Sequence, residues 1–245
     1  MKTHKLYHNE EAVSEVIGFI FIFGIVILSM STIYVLGFPA LQKSMDDTVF
    51  ESTEQNFIVL QSYMKMVGFD QVPMQSLKIR LQGATLSVTQ KSNLTIVYDD
   101  ESPETYVTGE IEFNKNDNYL TYENGGVWKR YPDGSLMVSK PRIYTGKING
   151  SNITTIGVVL ANGTSFQGGN GISILKMEHN DSSIINPPNL VNVTLIINSR
   201  YASDWRKFLE SIEFTTTNYT ASSLTVIRNN TMLVVGKHQV DVDIT

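Results

Sequence analysis

From Val16 to Phe38 the chain runs for 23 residues without a charged side chain, and no other feature narrows its possible folds so far. At about 1.5 Å per residue, such a helix spans roughly 34 Å, slightly more than the hydrocarbon core of a bilayer. The run predicts a membrane-crossing helix, because a core helix of a soluble domain is usually shorter and broken by polar positions. Gly18, Gly24, Ser29, Ser31 and Thr32 dilute its hydropathy, yet small residues are common in membrane helices, where they let neighbours approach. Gly18 and Gly24 are six apart, so no GxxxG face is written here.

Two lines set its orientation. Lys2, Lys5, His4 and His8 precede the run, whereas Lys43 is outweighed by Asp46, Asp47, Glu51 and Glu54 just after it. That bias predicts a cytoplasmic N-terminus and an extracellular C-terminal part in a single-pass protein of the cell membrane. Eight N-x-[ST] sequons, at Asn93, Asn149, Asn152, Asn162, Asn180, Asn192, Asn218 and Asn229, all follow the run. With 19 Asn and 44 Ser+Thr, chance would supply roughly three or four. An exported, glycosylated ectodomain fits both observations. Strand alternation sets Asn192 and Thr194 opposite Val191, Val193, Leu195 and Ile197, and sets Asn93 and Thr95 opposite Leu94 and Ile96, so glycans at both sites are expected to face solvent.

A cleaved secretory signal has a shorter apolar core and a small-x-small site after it; here the run ends in Gly37-Phe38-Pro39. The other junction is more informative. Residues 9–18, Asn-Glu-Glu-Ala-Val-Ser-Glu-Val-Ile-Gly, resemble the leader boundary of archaeal type IV pilin-like proteins. The resemblance implies a prepilin peptidase cut between Ala12 and Val13, with Glu10 and Glu11 ahead of the small residue. Glu15 departs from the pattern, since many relatives carry proline there, and an uncleaved signal anchor is the alternative. Leu81-Gln82-Gly83-Ala84-Thr85-Leu86, Tyr122-Glu123-Asn124-Gly125-Gly126-Val127-Trp128 and Gly134-Ser135-Leu136-Met137-Val138-Ser139 also look like an uncharacterised archaeal family of membrane proteins with pilin-like N-termini. That resemblance implies an archaeal envelope protein and brings no activity.

Beyond Pro39, a residue that suits a kink or a restarted helix, Leu41, Met45, Val49, Thr53, Phe57, Leu60, Met64 and Val67 recur at helical spacing, up to Gly68 and Pro73. This stripe packs on copies of itself in a filament core, docks on the chain's own head, or forms a short membrane-proximal stalk. From about residue 74 the period becomes two, as in Leu77, Ile79, Leu81 and in Ala84, Leu86, Val88, with Gly- and Asn-rich turns at regular intervals. The expected fold is α+β: a long N-terminal transmembrane and stalk helix, then an all-β, sandwich-like antiparallel head with one short helix near 203–211. Ser203 would cap that helix, and Trp205, Phe208 and Leu209 would form its buried face. Residues 238–245 read as a closing strand whose charged side suits a solvent edge. The expected divisions are a leader at 1–12, a membrane helix at 13–38, an amphipathic stalk at 39–70 and an extracellular β domain at 71–245.

The chemistry is thin. With no cysteine there is no disulfide, thiolate metal site or cysteine nucleophile. Lys+Arg at 19 against Asp+Glu at 24, with no basic run, gives no footprint for nucleic acid. Phosphate-loop, dinucleotide, zinc-protease, serine-elbow and EF-hand patterns are missing. His179 falls in a polar loop; His238 and Asp241 point to opposite sides of a strand; Asp99, Asp100 and Glu101 read as a solvated turn rather than a calcium loop. Trp128, Tyr131 and Tyr144 read as core or cross-strand aromatics rather than a sugar platform. The expectation is a non-enzymatic envelope protein without cofactor or metal, structural or adhesive in role. Its partners would be the lipid bilayer and, through the N-terminal helix, copies of itself or other envelope proteins. The alternative is a membrane-anchored module that binds a glycan or an envelope partner.

Overall fold

The computed structural model describes residues 10–99 and 101–245, with side chains from Val16 onward in the first helix. Residues 1–9 of the expected leader and Asp100 lie outside the described residues. Ala12 and Val13 fall on the backbone of helix α1 (Glu10–Thr32). A π-helical turn, Ile33–Gly37, joins α1 to α2 (Phe38–Gly68). The turn sits just ahead of Pro39, whose ring and missing N–H disturb the α-helical bond to the preceding turn, so the helix continues with one widened turn rather than stopping. Within the apolar run, the Ser29 hydroxyl donates to Ile25 O and the Thr32 hydroxyl to Leu28 O, each at 2.8 Å, so these polar side chains are satisfied by their own helix.

The chain divides into two compact units, residues 1–48 and 49–245. In the first, no described side chain is buried. The second begins inside α2, where Phe50, Thr53, Phe57, Leu60, Met64 and Val67 are all buried. The later part of the apolar stripe thus lies in the core of the chain's own head.

The head holds two sheets. The nine-stranded sheet runs β1 (Met74–Arg80), β12 (Ile172–Ile185), β15 (Ser223–Ile244), β13 (Leu190–Asn198), β3 (Asn93–Tyr98), β4 (Glu104–Val107). Strands β9 (Ile143–Ile148), β10 (Ser151–Asn162) and β14 (Thr215–Tyr219) join it off that path. The six-stranded sheet runs β11 (Ser165–Gly169), β2 (Ala84–Thr89), β5 (Glu110–Lys115), β6 (Asn118–Glu123), β7 (Gly126–Tyr131), β8 (Gly134–Ser139). Among described pairings all are antiparallel except β10 with β15. Strand β15 is long enough, at 22 residues, to pair β13 and β14 with its first half and β10 and β12 with its second.

Two hydrophobic cores result. One joins α2 to β2, β5 and β6 of the smaller sheet and to β12 and the end of β15. The other joins β13, β3 and the first half of β15 to α3 (Ala202–Ser211). Strand β10 serves both, with Ile156 and Val158 in one core and Val159 and Ala161 in the other. The alternation expected at the C-terminus is present, Val240 and Val242 being buried, but residues 238–241 form no edge: they lie between β10 and β12, while residues 242–244 pair with β12 alone. Helix α3 starts at Ala202 with Tyr201 at its N-cap and no side-chain cap, so Ser203 sits inside the first turn. Its buried face holds Trp205, Phe208 and Leu209 as the spacing predicts, and also Asp204.

Candidate functional site

Four places on the described chain carry chemistry beyond packing. The first is the seat of α2 in the head. Gln61 donates through Nε2 to Gly125 O at 2.7 Å and to Lys140 O at 3.0 Å, and its Oε1 accepts from the Ser139 hydroxyl at 2.6 Å. One amide thus ties the helix to the β6–β7 turn and to the end of β8. That turn is Asn124-Gly125, with φ of 43° and 79°, the left-handed pair that a two-residue hairpin requires. Asn124 Oδ1 also accepts from Val159 N at 3.0 Å, which binds the turn to β10. Nearer the start of the unit, Lys129 Nζ pairs with Glu54 at 2.6 Å and lies over the rings of Phe50 and Tyr131.

The C-terminal end of α2 meets both histidines of the head. His179 Nδ1 lies 3.0 Å from Val67 O, and His238 Nδ1 lies 2.9 Å from the Ser182 hydroxyl, which donates to Gly68 O at 3.4 Å. His179 therefore belongs to β12, not to a polar loop; a bulge at Asn180 restores its register with β15. The His238 ring rests on Phe69, centroids 4.0 Å apart, and Phe69 fits because Gly157 has no Cβ, which would stand 2.7 Å from that ring. Burial holds the His238 imidazole below its ordinary value. No group of three His, Cys, Asp or Glu side chains among the described residues could hold a metal ion.

The second place is a buried carboxyl. Glu123 at the end of β6 is 1% exposed, and its two oxygens accept from Ser199 Oγ at 2.7 Å and Trp205 Nε1 at 3.0 Å. Burial pushes its pKa up to about 8, with the Glu110 charge adding to the rise and the two hydrogen bonds opposing it. Beside it Arg200 pairs with Glu112 at 2.5 Å and Glu110 at 3.3 Å, and the Thr121 and Tyr201 hydroxyls are 2.7 Å apart. These bonds hold the segment between β13 and α3 onto the smaller sheet. With the carboxyl pinned on both oxygens inside the core, the cluster is a brace between sheets.

The third is a cavity of about 430 Å³ at the open end of the same sheet, lined by Asp117, Tyr119, Arg130, Tyr131, Pro132, Gly134 and Ser135. Of the aromatics weighed as a sugar platform, only Tyr131 lies there. Trp128 is fully buried, stacked on Tyr201 at 5.6 Å and against Trp205 at 4.9 Å, and Tyr144 is exposed on β9. The platform does not form. Asp99, of the acidic turn, accepts from Asn192 N at 2.9 Å and so closes the end of β3 on β13.

The fourth is the sequon set. Asn149, Asn162, Asn180, Asn192, Asn218 and Asn229 are exposed, while Asn93 and Asn152 are half-buried. Asn93 accepts from the Asn198 amide at 2.7 Å, and Thr95 is buried against Thr105. The amides of Asn162 and Asn180 both donate to Asp241, one to each carboxylate oxygen at 2.8 Å, forming a ladder across β10, β15 and β12.

Gln61, Glu123, Tyr119 and Arg130 were not singled out by sequence reasoning. Glu123 had a signal, an acid inside the motif Tyr122-Glu123-Asn124-Gly125-Gly126-Val127-Trp128; Gln61 had none beyond its helix.

A family of unknown function, DUF7289, matches residues 11–243 of the chain. An uncharacterised protein of Archaeoglobus fulgidus is similar to it, 25% identical over 229 residues, which cover 74% of this chain and 75% of that one. No solved structure matches.

Proposed function

Because the chain belongs to DUF7289, a family of unknown function, membership brings no activity, and we propose from its own residues that it is a membrane-anchored archaeal envelope protein with a structural or adhesive role and no catalysis. One observation carries the reading: the uncharged run of α1 and the π turn presents large apolar side chains on every side, Phe19, Phe21, Ile25, Leu28, Ile33 and Leu36 among them, and none of its side chains is buried. Water does not tolerate so continuous an apolar cylinder; lipid does. The archaeal relative and the export signals in the sequence support the placement. In this reading the N-terminus is cytoplasmic, the head extracellular, and the sequons are available to glycosylation.

The experiment is membrane fractionation of cells expressing the full chain. Retention in the pellet through alkaline carbonate, with the head digested by protease added to intact cells, is the expected result. Release by carbonate overturns the anchor, and a protease-protected head overturns the orientation. The pilin-like version adds a cut between Ala12 and Val13 and lateral assembly through the helix. Mass spectrometry of the native N-terminus tests it: a chain starting at Met1 or Lys2 removes the filament reading.

The cavity at Tyr119 and Arg130 favours a second reading, in which the anchored head is a binding module for a glycan or an envelope partner. It is a concave site that brings aromatic, cationic and hydroxyl groups together.

A further inference from the structure

We propose that the cavity at the open end of the smaller sheet binds an acidic saccharide, with Arg130 reading the carboxylate; this rests on the second reading above. Tyr119, Arg130 and Ser135 are direct cross-strand partners on β6, β7 and β8, so they form one row on one face of the sheet. Further along that face Thr121 is covered by Tyr201, and the fully buried Trp128 lies against Trp205. In the row itself Ser135 donates to the Asp204 carboxylate of α3, and the cavity is lined by Tyr119, Arg130 and Ser135.

The cations of this face differ in how they are matched. Arg200 lies 6.0 Å from the Tyr119 ring and is neutralised by Glu110 and Glu112. Arg130 Cζ lies 4.4 Å from the centroid of the same ring, and the guanidinium has no carboxylate partner among the described residues. A guanidinium held over a ring and free of protein carboxylates keeps N–H donors for a bidentate carboxylate. Asp117 on the rim can accept hydroxyl protons, and Tyr119 and Tyr131 supply apolar surface.

The ligand follows from that inventory. The cavity lining holds one cation, Arg130, together with the acid Asp117, which does not suit a polyanion such as nucleic acid. It suits a ring with one negative charge and several hydroxyls, which is a uronic acid. The cavity is on the scale of small-ligand sites, roughly 300–1,000 Å³.

The test is calorimetric titration of the full chain in detergent micelles with trigalacturonate, its methyl ester and sodium acetate, on the wild type and on Arg130→Gln. Arg130 is half-exposed and unpaired, so the variant should keep the wild-type melting midpoint. Saturable binding of trigalacturonate is expected, weakened at least tenfold both by Arg130→Gln and by methyl esterification. Equal binding of the ester overturns the acid claim and leaves the module reading standing. Failure of both sugars to bind overturns both. Unchanged binding by Arg130→Gln places the site elsewhere, and competition by acetate at the same concentration as the sugar reduces it to a plain anion site; either result overturns the proposal.

Discussion

The run from Val16 to Leu36 and the segment from Val49 to Val67 are both helical, both rich in Phe, Ile, Leu, Val and Met, and part of one nearly continuous helical stretch, yet they meet different surroundings. In the first the apolar residues occupy every side and none is buried; in the second they occupy one stripe and that stripe is the core of the head. Helicity does not distinguish them. What differs is the distribution of polarity around the axis: a uniform apolar cylinder has to be covered on every side, as by lipid or by other helices, whereas a stripe flanked by Glu54, Gln55 and Gln61 can be completed by a sheet.

Alanine substitutions in the two halves test this most sharply. Phe57 is fully buried between the sheets, so Phe57→Ala should cost about 3–5 kcal/mol through lost transfer energy and the cavity left behind. Phe21→Ala should leave unfolding of the head unchanged. Denaturant titration followed by fluorescence of Trp128 and Trp205, the two tryptophans and both buried, reads the difference. A cost below about 1 kcal/mol at Phe57 would mean that α2 is a stalk after all.

A charge separates the environments next. Ile25→Lys places a cation mid-run, where insertion scales charge about 2.5–3.5 kcal/mol; the membrane-bound fraction should drop while the head melts as before. Glu123 is the counterpart inside protein. Its folded pKa, about 8, stands above the ordinary value of 4.5, so the folded state holds the proton more tightly. Stability is therefore full below about pH 4.5 and falls as pH rises through about 8, by a few kcal/mol in all. Glu123→Gln should flatten that decline in melts taken from pH 5 to 9. His238 has the opposite sense: its lowered pKa removes stability as pH falls below 6.5, and His238→Phe should reduce the acid-side loss without touching the alkaline side. If both variants shift the same limb, these groups are not the ones titrating.

Gln61→Ala gives a smaller effect, about 1–3 kcal/mol, since it removes three hydrogen bonds and leaves Gly125 O, Lys140 O and the Ser139 hydroxyl to find new partners. Gln61→Glu should cost at least as much, because a carboxylate cannot donate to the two carbonyls. Equal stability of both variants with the wild type would leave apolar packing alone to seat the helix.

Much of this molecule is legible in residue order because the governing patterns are local. The uncharged run, the alternation in β2 and around Val191 to Ile197, the Asn124-Gly125 turn and the Trp205 face of α3 each depend on residues within one or two turns of one another. The parts not legible are those decided by distant partners. Whether the stripe of α2 found a copy of itself or its own head depended on sheets formed later in the chain. The charged C-terminal alternation fits an edge strand and also fits the middle of a sheet whose outer face carries Asn162 and Asn180. Parallel pairing of β10 with β15, and the row of Tyr119, Arg130 and Ser135, arise from registers that no short window contains.

That outer face gives the smallest expected effect and the closest look at the sequons. Asp241 accepts both the Asn162 and Asn180 amides on a solvent-facing surface, so Asp241→Ala should change stability by about 1 kcal/mol or less. Its larger effect should be on modification. A glycosyl acceptor amide must leave its hydrogen bond and present its nitrogen to the transferase, and here one carboxylate holds two such nitrogens in an ordered ladder. Removing the carboxylate should raise glycan occupancy at Asn162 and Asn180 together while leaving Asn149, exposed at the β9–β10 turn, as it was. Glycopeptide mass spectrometry of protein from the native membrane measures all three. A rise at Asn149 as well would point to a general loosening of the head, and bare asparagine at all three in both proteins would make these sequons ordinary surface amides whose bonds to Asp241 serve only to order the sheet.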